Sequence, residues 1–235
     1  MSNNTYSTFT DVNTLGEFGL IDALTKDHPA VQNTTIKGVG DDGAVIKNTN
    51  EVTVVSTDML VEGIHFDLMY TPLKHLGYKS VVANLSDIYA MNAIPSQITV
   101  SIAISNKYSL EALQEFYDGI YTACKMYHVD LVGGDTTSSP KGMVVSITAI
   151  GQAAKEDIVY RNGAKKGDII CVTGDLGASY LGLQILEREK QVYLAHPGVQ
   201  PELENSQYLI ERQLKPEAQA GAIDYFKKMN IRPLL

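Results

Sequence analysis

Strand-like and helix-like runs alternate between residues 51 and 150, and that alternation restricts the chain to folds in which helices pack on a sheet. The run EVTVVSTDML is rich in β-branched residues and predicts a strand that ends at Asp58. Leu73, Leu76, Val81, Leu85 and Ile88 then recur at helical steps. They predict an amphipathic helix from about Pro72 to Met91, whose second stripe carries Asn84, Asp87 and Met91. QITVSIAI (97–104) predicts a strand, and residues 109–128 a helix opened by Ser109, with Leu110, Leu113, Phe116, Ile120 and Cys124 inward. MVVSITAI (143–150) predicts another strand, and the order as a whole is that of an α/β or α+β domain.

On the N-terminal side, Leu15, Phe18, Leu20, Ile21 and Leu24 predict a first helix that stops at His28-Pro29. On the C-terminal side, the turn-rich RNGAKKGD precedes a new strand, DIICVTG, and a helix, ASYLGLQILEREK. Two more helical patterns run from about Glu202 to Gln213 and from Glu217 to Met229. The domain boundary is therefore expected between Gly151 and Lys166, giving an N-terminal domain over 1–150 and a second over 151–235. One strand with three helices is thin for a second α/β domain and reads as part of a larger one.

With 235 residues, 44% of them hydrophobic and 20% charged, the chain can bury one large core or two modest ones. A net charge of -8 and a pI of 5.1 argue against nucleic acid or an anionic membrane as the main partner, since both require a basic face. The opening MSNNTYSTFTDVNT has neither the basic start nor the apolar stretch of a signal peptide, and no run approaches a membrane span. The expected location is the cytoplasm. Cys124 and Cys171 read as small buried hydrophobes rather than a disulfide or a zinc site.

Five acidic residues stand at the ends of apolar or glycine-rich runs: Asp41, Asp42, Asp58, Asp87 and Asp135. Carboxylates brought together raise one another's pKa unless a cation compensates them. Oxygen ligands without Cys or His suit magnesium, so the expectation is a site for magnesium and a polyphosphate.

Each motif also has a plainer reading. Gly38-Val39-Gly40-Asp41-Asp42-Gly43 matches G-x-G-x-x-G. A dinucleotide turn, however, offers bare amides at a helix start, whereas this loop carries two negative charges into the strand-like AVI. It fits a metal-holding loop or a tight polar turn. Ser56, Thr57 and Asp58 suit magnesium or a cap. Asp87 sits mid-helix, where Asp has poor propensity, on the same face as Asn84. In Gly133-Gly134-Asp135-Thr136-Thr137 the glycines let a ligand approach the backbone, or simply make a turn before the next strand. Arg161 is a candidate phosphate clamp or a solvated charge. His65 could reach a substrate phosphate or be structural, and Tyr117 faces a ligand or the core. No GxxxxGK[ST], HExxH or GxSxG motif occurs.

Together the segments GEFGLI, GVGDDGAVI, STDMLVEGIHF, GYKSVVANLSDIYAMNAIP, LVGGDTT, RNGAKKGD and VTGDLGAS resemble the thiamine-monophosphate kinases, within the superfamily typified by aminoimidazole ribonucleotide synthetase. The resemblance implies transfer of the γ-phosphate of ATP to thiamine monophosphate, giving thiamine diphosphate. It implies that Asp42, Ser56, Thr57, Asp58, Asp87 and Asp135 hold magnesium, that Tyr117, Gly134, Asp135 and Arg161 contact ATP, and that His65 contacts the substrate. It also implies a homodimer in which the mixed sheets of the N-terminal domains pair, with nucleotide near that interface. The family's later Asp-x-Ser-Asp-Gly-Leu magnesium motif has no equivalent here, and Asp224-Tyr225-Phe226 does not match it. The resemblance thus covers nearly all of this chain but only the earlier part of the family pattern. A sister ATP-dependent synthetase and a non-catalytic nucleotide-binding or dimerisation fragment are the two rival readings.

Overall fold

The computed structural model describes residues 32–229 together with Phe18, Gly19 and Asp22. The expected first helix otherwise lies outside the described residues. Six strands form one mixed sheet: β1 (Thr35–Lys37), β2 (Ala44–Lys47), β3 (Val52–Val61), β4 (Ile94–Ile104), β5 (Asp130–Ser138) and β6 (Val144–Ala153). Their order in the sheet is β1-β2-β3-β6-β4-β5, and only β4 and β5 run parallel as neighbours. Among the described residues there are five α-helices: α1 (Leu73–Ala90), α2 (Leu110–Tyr127), α3 (Ala178–Ala195), α4 (Gln207–Leu214) and α5 (Ala220–Met229). None is long and apolar enough to cross a membrane.

The central helices match their sequence expectation closely. Ser109 accepts from the amide of Ala112 and opens α2, as a serine N-cap should. His128, in the left-handed conformation, closes it. Helix α1, however, is not the one-sided amphipathic helix expected. Leu76, Tyr78, Val81, Val82, Leu85 and Ile88 are all buried, because the sheet covers one side of α1 and α2 covers another. That second contact depends on two glycines. A Cβ on Gly77 would lie 1.9 Å from the carbonyl oxygen of Phe116, and one on Gly119 would lie 1.9 Å from that of Lys74.

Residues facing the helices from the sheet are buried in alternation, among them Val52, Val54, Ile98, Val100, Ile102, Val145, Ile147 and Ala149. Their neighbours on the opposite face, including Val55, Met59, Ser146, Thr148 and Ile150, are partly or fully exposed. The sheet is therefore covered by helices on one face.

Several local expectations fail for non-local reasons. Asp58 does not end its strand, because pairing with β6 continues through Val61. LVGGDTT is not a turn: it lies within β5, the edge strand beside β4. Leu110 is exposed rather than inward. DIICVTG forms no strand, and Ile169 and Ile170 are 89% and 93% exposed. A strand needs ladder partners for its amides and carbonyls, and the six strands described pair only with one another. Cys171 is accordingly exposed, against expectation, while Cys124 is buried and its thiol pushed up to about 11 by that burial.

Candidate active site

The helix-facing side of β3 meets the C-terminal half of α1 through four polar residues. Ser56, 7% exposed, donates its hydroxyl to Oδ2 of Asp87 at 2.8 Å. The amide of Asp58 donates to Oδ1 of Asn84 at 2.9 Å, and Asn84, fully buried, returns its Nδ2 to the carbonyl of Ser80 in its own helix. Asn84 thus satisfies its buried amide and holds α1 in register on β3. Burial pushes the Asp87 carboxyl above its usual range, the Ser56 hydroxyl opposes this, and the nearby charge of Asp58 adds to it. Among the described residues neither Asp58 nor Asp87 has a salt-bridge partner. Two close carboxylates with a hydroxyl and no cation form a hard-oxygen donor set that fits magnesium.

The other acids stand apart from this pair. Among the described residues, no three His, Cys, Asp or Glu side chains group closely enough to hold a metal ion. Asp58 pairs with Ile147, Ile147 with Val100, and Val100 with Gly134, so Asp58 and Gly134 share one row across the sheet, three strands apart. At roughly 4.8 Å per strand that is about 14 Å. Asp135 is exposed next to Gly134 on the edge strand, accepting from the amide of Thr136. Gly134 itself is required by the fold, since a Cβ there would lie 1.8 Å from the carbonyl oxygen of Val100. Thr57 alternates to the sheet face opposite Ser56 and Asp58, where its hydroxyl bonds the carbonyl of Ile147 and the hydroxyl of Thr148.

The acidic glycine loop leads into β2 beside β3. A Cβ on Gly43 would lie 2.8 Å from a methyl of Val54, so glycine lets the loop lie close against that strand. Asp42 forms an ion pair with Arg161, whose backbone amide also approaches Asp41 at 3.4 Å. The guanidinium lies 5.6 Å from the ring centre of Phe18. The structure thus joins a candidate metal ligand to a candidate phosphate clamp, 119 residues apart in sequence.

His65 is exposed on the loop after β3, and its Nδ1 accepts from the amide of Val61 at 3.0 Å. Tyr117 is half-buried on α2 against the edge of Phe116 and beside Tyr121. Tyr121, Lys125, His128, Leu131 and Val132 line an open groove of about 800 Å³ between α2 and β5. Sequence reading assigned no role to Asn84 or Glu62, although both organise this region. Asn84 had a signal, a buried amide on the stripe of Asp87, whereas nothing local in VEGIHF marks the partners of Glu62.

The family described as AIR synthase related protein, N-terminal domain, matches residues 40–153. Thiamine-monophosphate kinases of Bacillus subtilis (strain 168) and of Buchnera aphidicola subsp. Schizaphis graminum are 35% and 40% identical to this chain over 205 and 201 residues. Those matches cover 86% and 85% of this chain, but 60% and 58% of the relatives. The chain therefore spans about three fifths of the length of the curated relatives it matches. A solved structure described as AaThiL complexed with AMPPCP and TMP superposes with a TM-score of 0.79 at 30% identity, covering 94% of this chain and 66% of that one. With its six-stranded mixed sheet and its pattern of segments, the chain belongs to the thiamine-monophosphate kinase family, among the AIR synthase-related proteins.

Proposed function

We propose that this chain is the nucleotide- and metal-handling part of a cytoplasmic thiamine-monophosphate kinase, transferring the γ-phosphate of ATP to thiamine monophosphate. The observation that carries this reading is the Asp58–Asp87 pair, two carboxylates without a cationic partner among the described residues, Asp87 bonded by the Ser56 hydroxyl and Asp58 anchored through its backbone amide on Asn84. It is supported by the likeness to a structure described as holding AMPPCP and TMP. Asp87, Asp58 and Ser56 are assigned to one magnesium, and Asp42, Thr57 and Asp135, which stand apart from that pair, to further magnesium ions. Tyr117, Gly134, Asp135 and Arg161 are assigned to ATP and His65 to the monophosphate.

Magnesium, when bound, would neutralise the phosphate oxygens and reduce repulsion between the two anionic substrates. The acceptor needs no general base, because a phosphate monoester has a second pKa of about 6 and is already anionic at neutral pH. An acceptor oxygen attacks the γ-phosphorus in line, the bond to the bridging oxygen breaks, and ADP leaves with the electron pair. The protein's part is to align the two phosphates, which suits Arg161 as a planar clamp. We further assign residues 1–150 and 151–235 to separate domains. The sheet face that no helix covers among the described residues, with Met59 57% exposed on it, is assigned to pairing in a homodimer.

The test incubates the chain with ATP, magnesium and thiamine monophosphate, with free thiamine as control acceptor, and detects thiamine diphosphate by fluorescence after oxidation. Product from the monophosphate alone supports the kinase. The rival, a nucleotide-binding module without turnover, is favoured by the exposed Ile169-Ile170 segment. It requires magnesium-dependent ATP binding with no product.

A further inference from the structure

The loop that leaves β3 is held in place by Glu62. Its Oε1 accepts from Lys107 Nζ at 2.6 Å, and its Oε2 accepts from the Tyr108 hydroxyl at 2.6 Å and from the amide of Met143 at 2.7 Å. The amide of Glu62 donates to the carbonyl of Met143 at 2.9 Å, continuing the β6 side of the ladder. Gly142, at φ +66°, is where a Cβ would press within 2.8 Å of Oε2, so glycine makes room for the carboxylate. One carboxylate thereby joins the end of β3, the segment before α2 and the turn before β6.

The loop then closes on itself within four residues. The amide of Gly63 donates to the carbonyl of Phe66, the amides of Ile64 and His65 both reach the carbonyl of Val61, and Phe66 is buried in the core. Pairing of β3 with β2 covers only Val52 to Val55. The amide of Glu62 faces β6, so that of Val61 faces the side where, among the described residues, no strand pairs with it. His65 Nδ1 fills that vacant acceptor position at 3.0 Å. An imidazole that accepts through Nδ1 carries its proton on Nε2 in the neutral form. The ring therefore presents Nε2–H outward from an exposed crest shared with Ile64, which is 77% exposed.

We propose that Glu62 is the positioning residue that fixes His65 with its Nε2–H presented as a donor to an anionic group of the phosphorylated acceptor. The acceptor's identity rests on the proposed function, whereas the positioning itself does not. Glu62 touches no substrate in this scheme. It anchors the start of a four-residue loop, and the His65–Val61 contact exists only while that start is fixed. A glutamine in its place keeps the shape but turns one acceptor into an amide donor, facing Lys107, Tyr108 or the Met143 amide. The loop then loses its anchor without losing bulk.

The experiment compares the full chain with its Glu62→Gln variant through three readouts. Hydrogen exchange at the Val61 amide and the His65 tautomer, read from its ring nitrogen shifts, report the loop. Calorimetric binding of thiamine monophosphate, and separately of ATP with magnesium, reports the site. The expected result is that Val61 protection falls at least tenfold, His65 loses its single tautomer, and monophosphate binding weakens roughly tenfold, the loss of a hydrogen bond to a charged group. ATP binding and protection of the α1 amides stay unchanged. A uniform loss of protection with both ligands weakened together would make Glu62 merely structural and overturn the proposal. So would a folded variant with Val61 and His65 as in the parent.

If Glu62→Gln does not fold, Lys107→Met and Tyr108→Phe each remove one donor and leave the carboxylate in place. The same loop changes at smaller size support the proposal, and unchanged Val61 and His65 in both variants overturn it. Should the parent itself bind no thiamine monophosphate, the substrate assignment fails. The Val61 and His65 readouts then still decide whether Glu62 sets the ring.

Discussion

The hydroxyl of Ser56 donates to Oδ2 of Asp87 across 2.8 Å, joining the middle of β3 to the last turns of α1 between residues 31 apart in sequence. That one hydroxyl is not enough to stabilise the charge, because burial and the neighbouring Asp58 still hold the Asp87 carboxyl above its ordinary range. Among the described residues no cation compensates that charge.

Replacing Asp87 with Asn removes that charge and keeps an oxygen able to accept from Ser56. Without metal, the variant is expected to melt higher. Relief of about 1 kcal/mol corresponds to roughly 2–4 °C in a chain of this size. Added magnesium should then stabilise it less than it stabilises the parent, because one ligand is lost. Differential scanning fluorimetry with and without magnesium checks both. Destabilisation in both conditions would make Asp87 a structural residue.

The same group sets a pH dependence of known sign. A carboxyl whose folded pKa is raised binds its proton more tightly in the native state than in the unfolded state. Its contribution to stability therefore falls as pH rises from the ordinary value of 3.8 through the raised one, and stays lower above it. Glu62 runs the other way. Burial alone would raise its pKa, but Lys107, Tyr108 and the Met143 amide outweigh burial and lower it, so its stabilisation is present above 4.5 and is lost as pH falls through its folded value. The stability difference between Asp87→Asn and the parent, followed by urea denaturation, should grow as pH rises above 3.8 and then level off. A flat difference would show that Asp87 titrates normally.

Helices α1 and α2 meet at Gly77 and Gly119, where an added Cβ would overlap a backbone oxygen of the facing helix. Gly77→Ala gains helix propensity, about 1 kcal/mol at most, but must push the helices apart. Overpacking of this kind typically costs about 1–3 kcal/mol, and the obstruction here is backbone, which cannot rotate away. Net destabilisation of at least about 1 kcal/mol in urea is expected for either glycine. The double variant should lose less than the sum, since one displacement relieves both clashes.

Arg161 pairs with Asp42 where both are partly exposed, with the arginine side chain 43% accessible. Exposed pairs contribute about 0–1 kcal/mol, so Arg161→Gln should leave the melting temperature nearly unchanged. If the guanidinium clamps a phosphate, ATP affinity should fall roughly tenfold, the loss of a charge-assisted hydrogen bond. Calorimetry on the folded variant checks this. Unchanged affinity would leave Arg161 as no more than the partner of Asp42.

Local periodicity was enough to place α1 and α2 to within a residue at each end, to name Ser109 as a cap, and to read β3, β4 and β6 as strands. Those features depend on forces within one element: capping of an amide three residues on, β-branched crowding, and apolar spacing along a helix. The acidic motifs were legible for the same reason, since each is a short run of unusual residues.

Which of those acids meet could not be read that way. Strand order puts Gly134 and Asp135 three strands from Asp58, the pleat turns Thr57 away from Ser56, and Arg161 reaches Asp42 from 119 residues on. DIICVTG has every local mark of a strand and is not one, because a strand exists only when another presents its hydrogen bonds. The sequence by itself determined the elements and the kind of chemistry their ends could support. The tertiary structure decided the company each side chain keeps, since pairing, register and helix contact arise between segments far apart in the chain and leave no local trace.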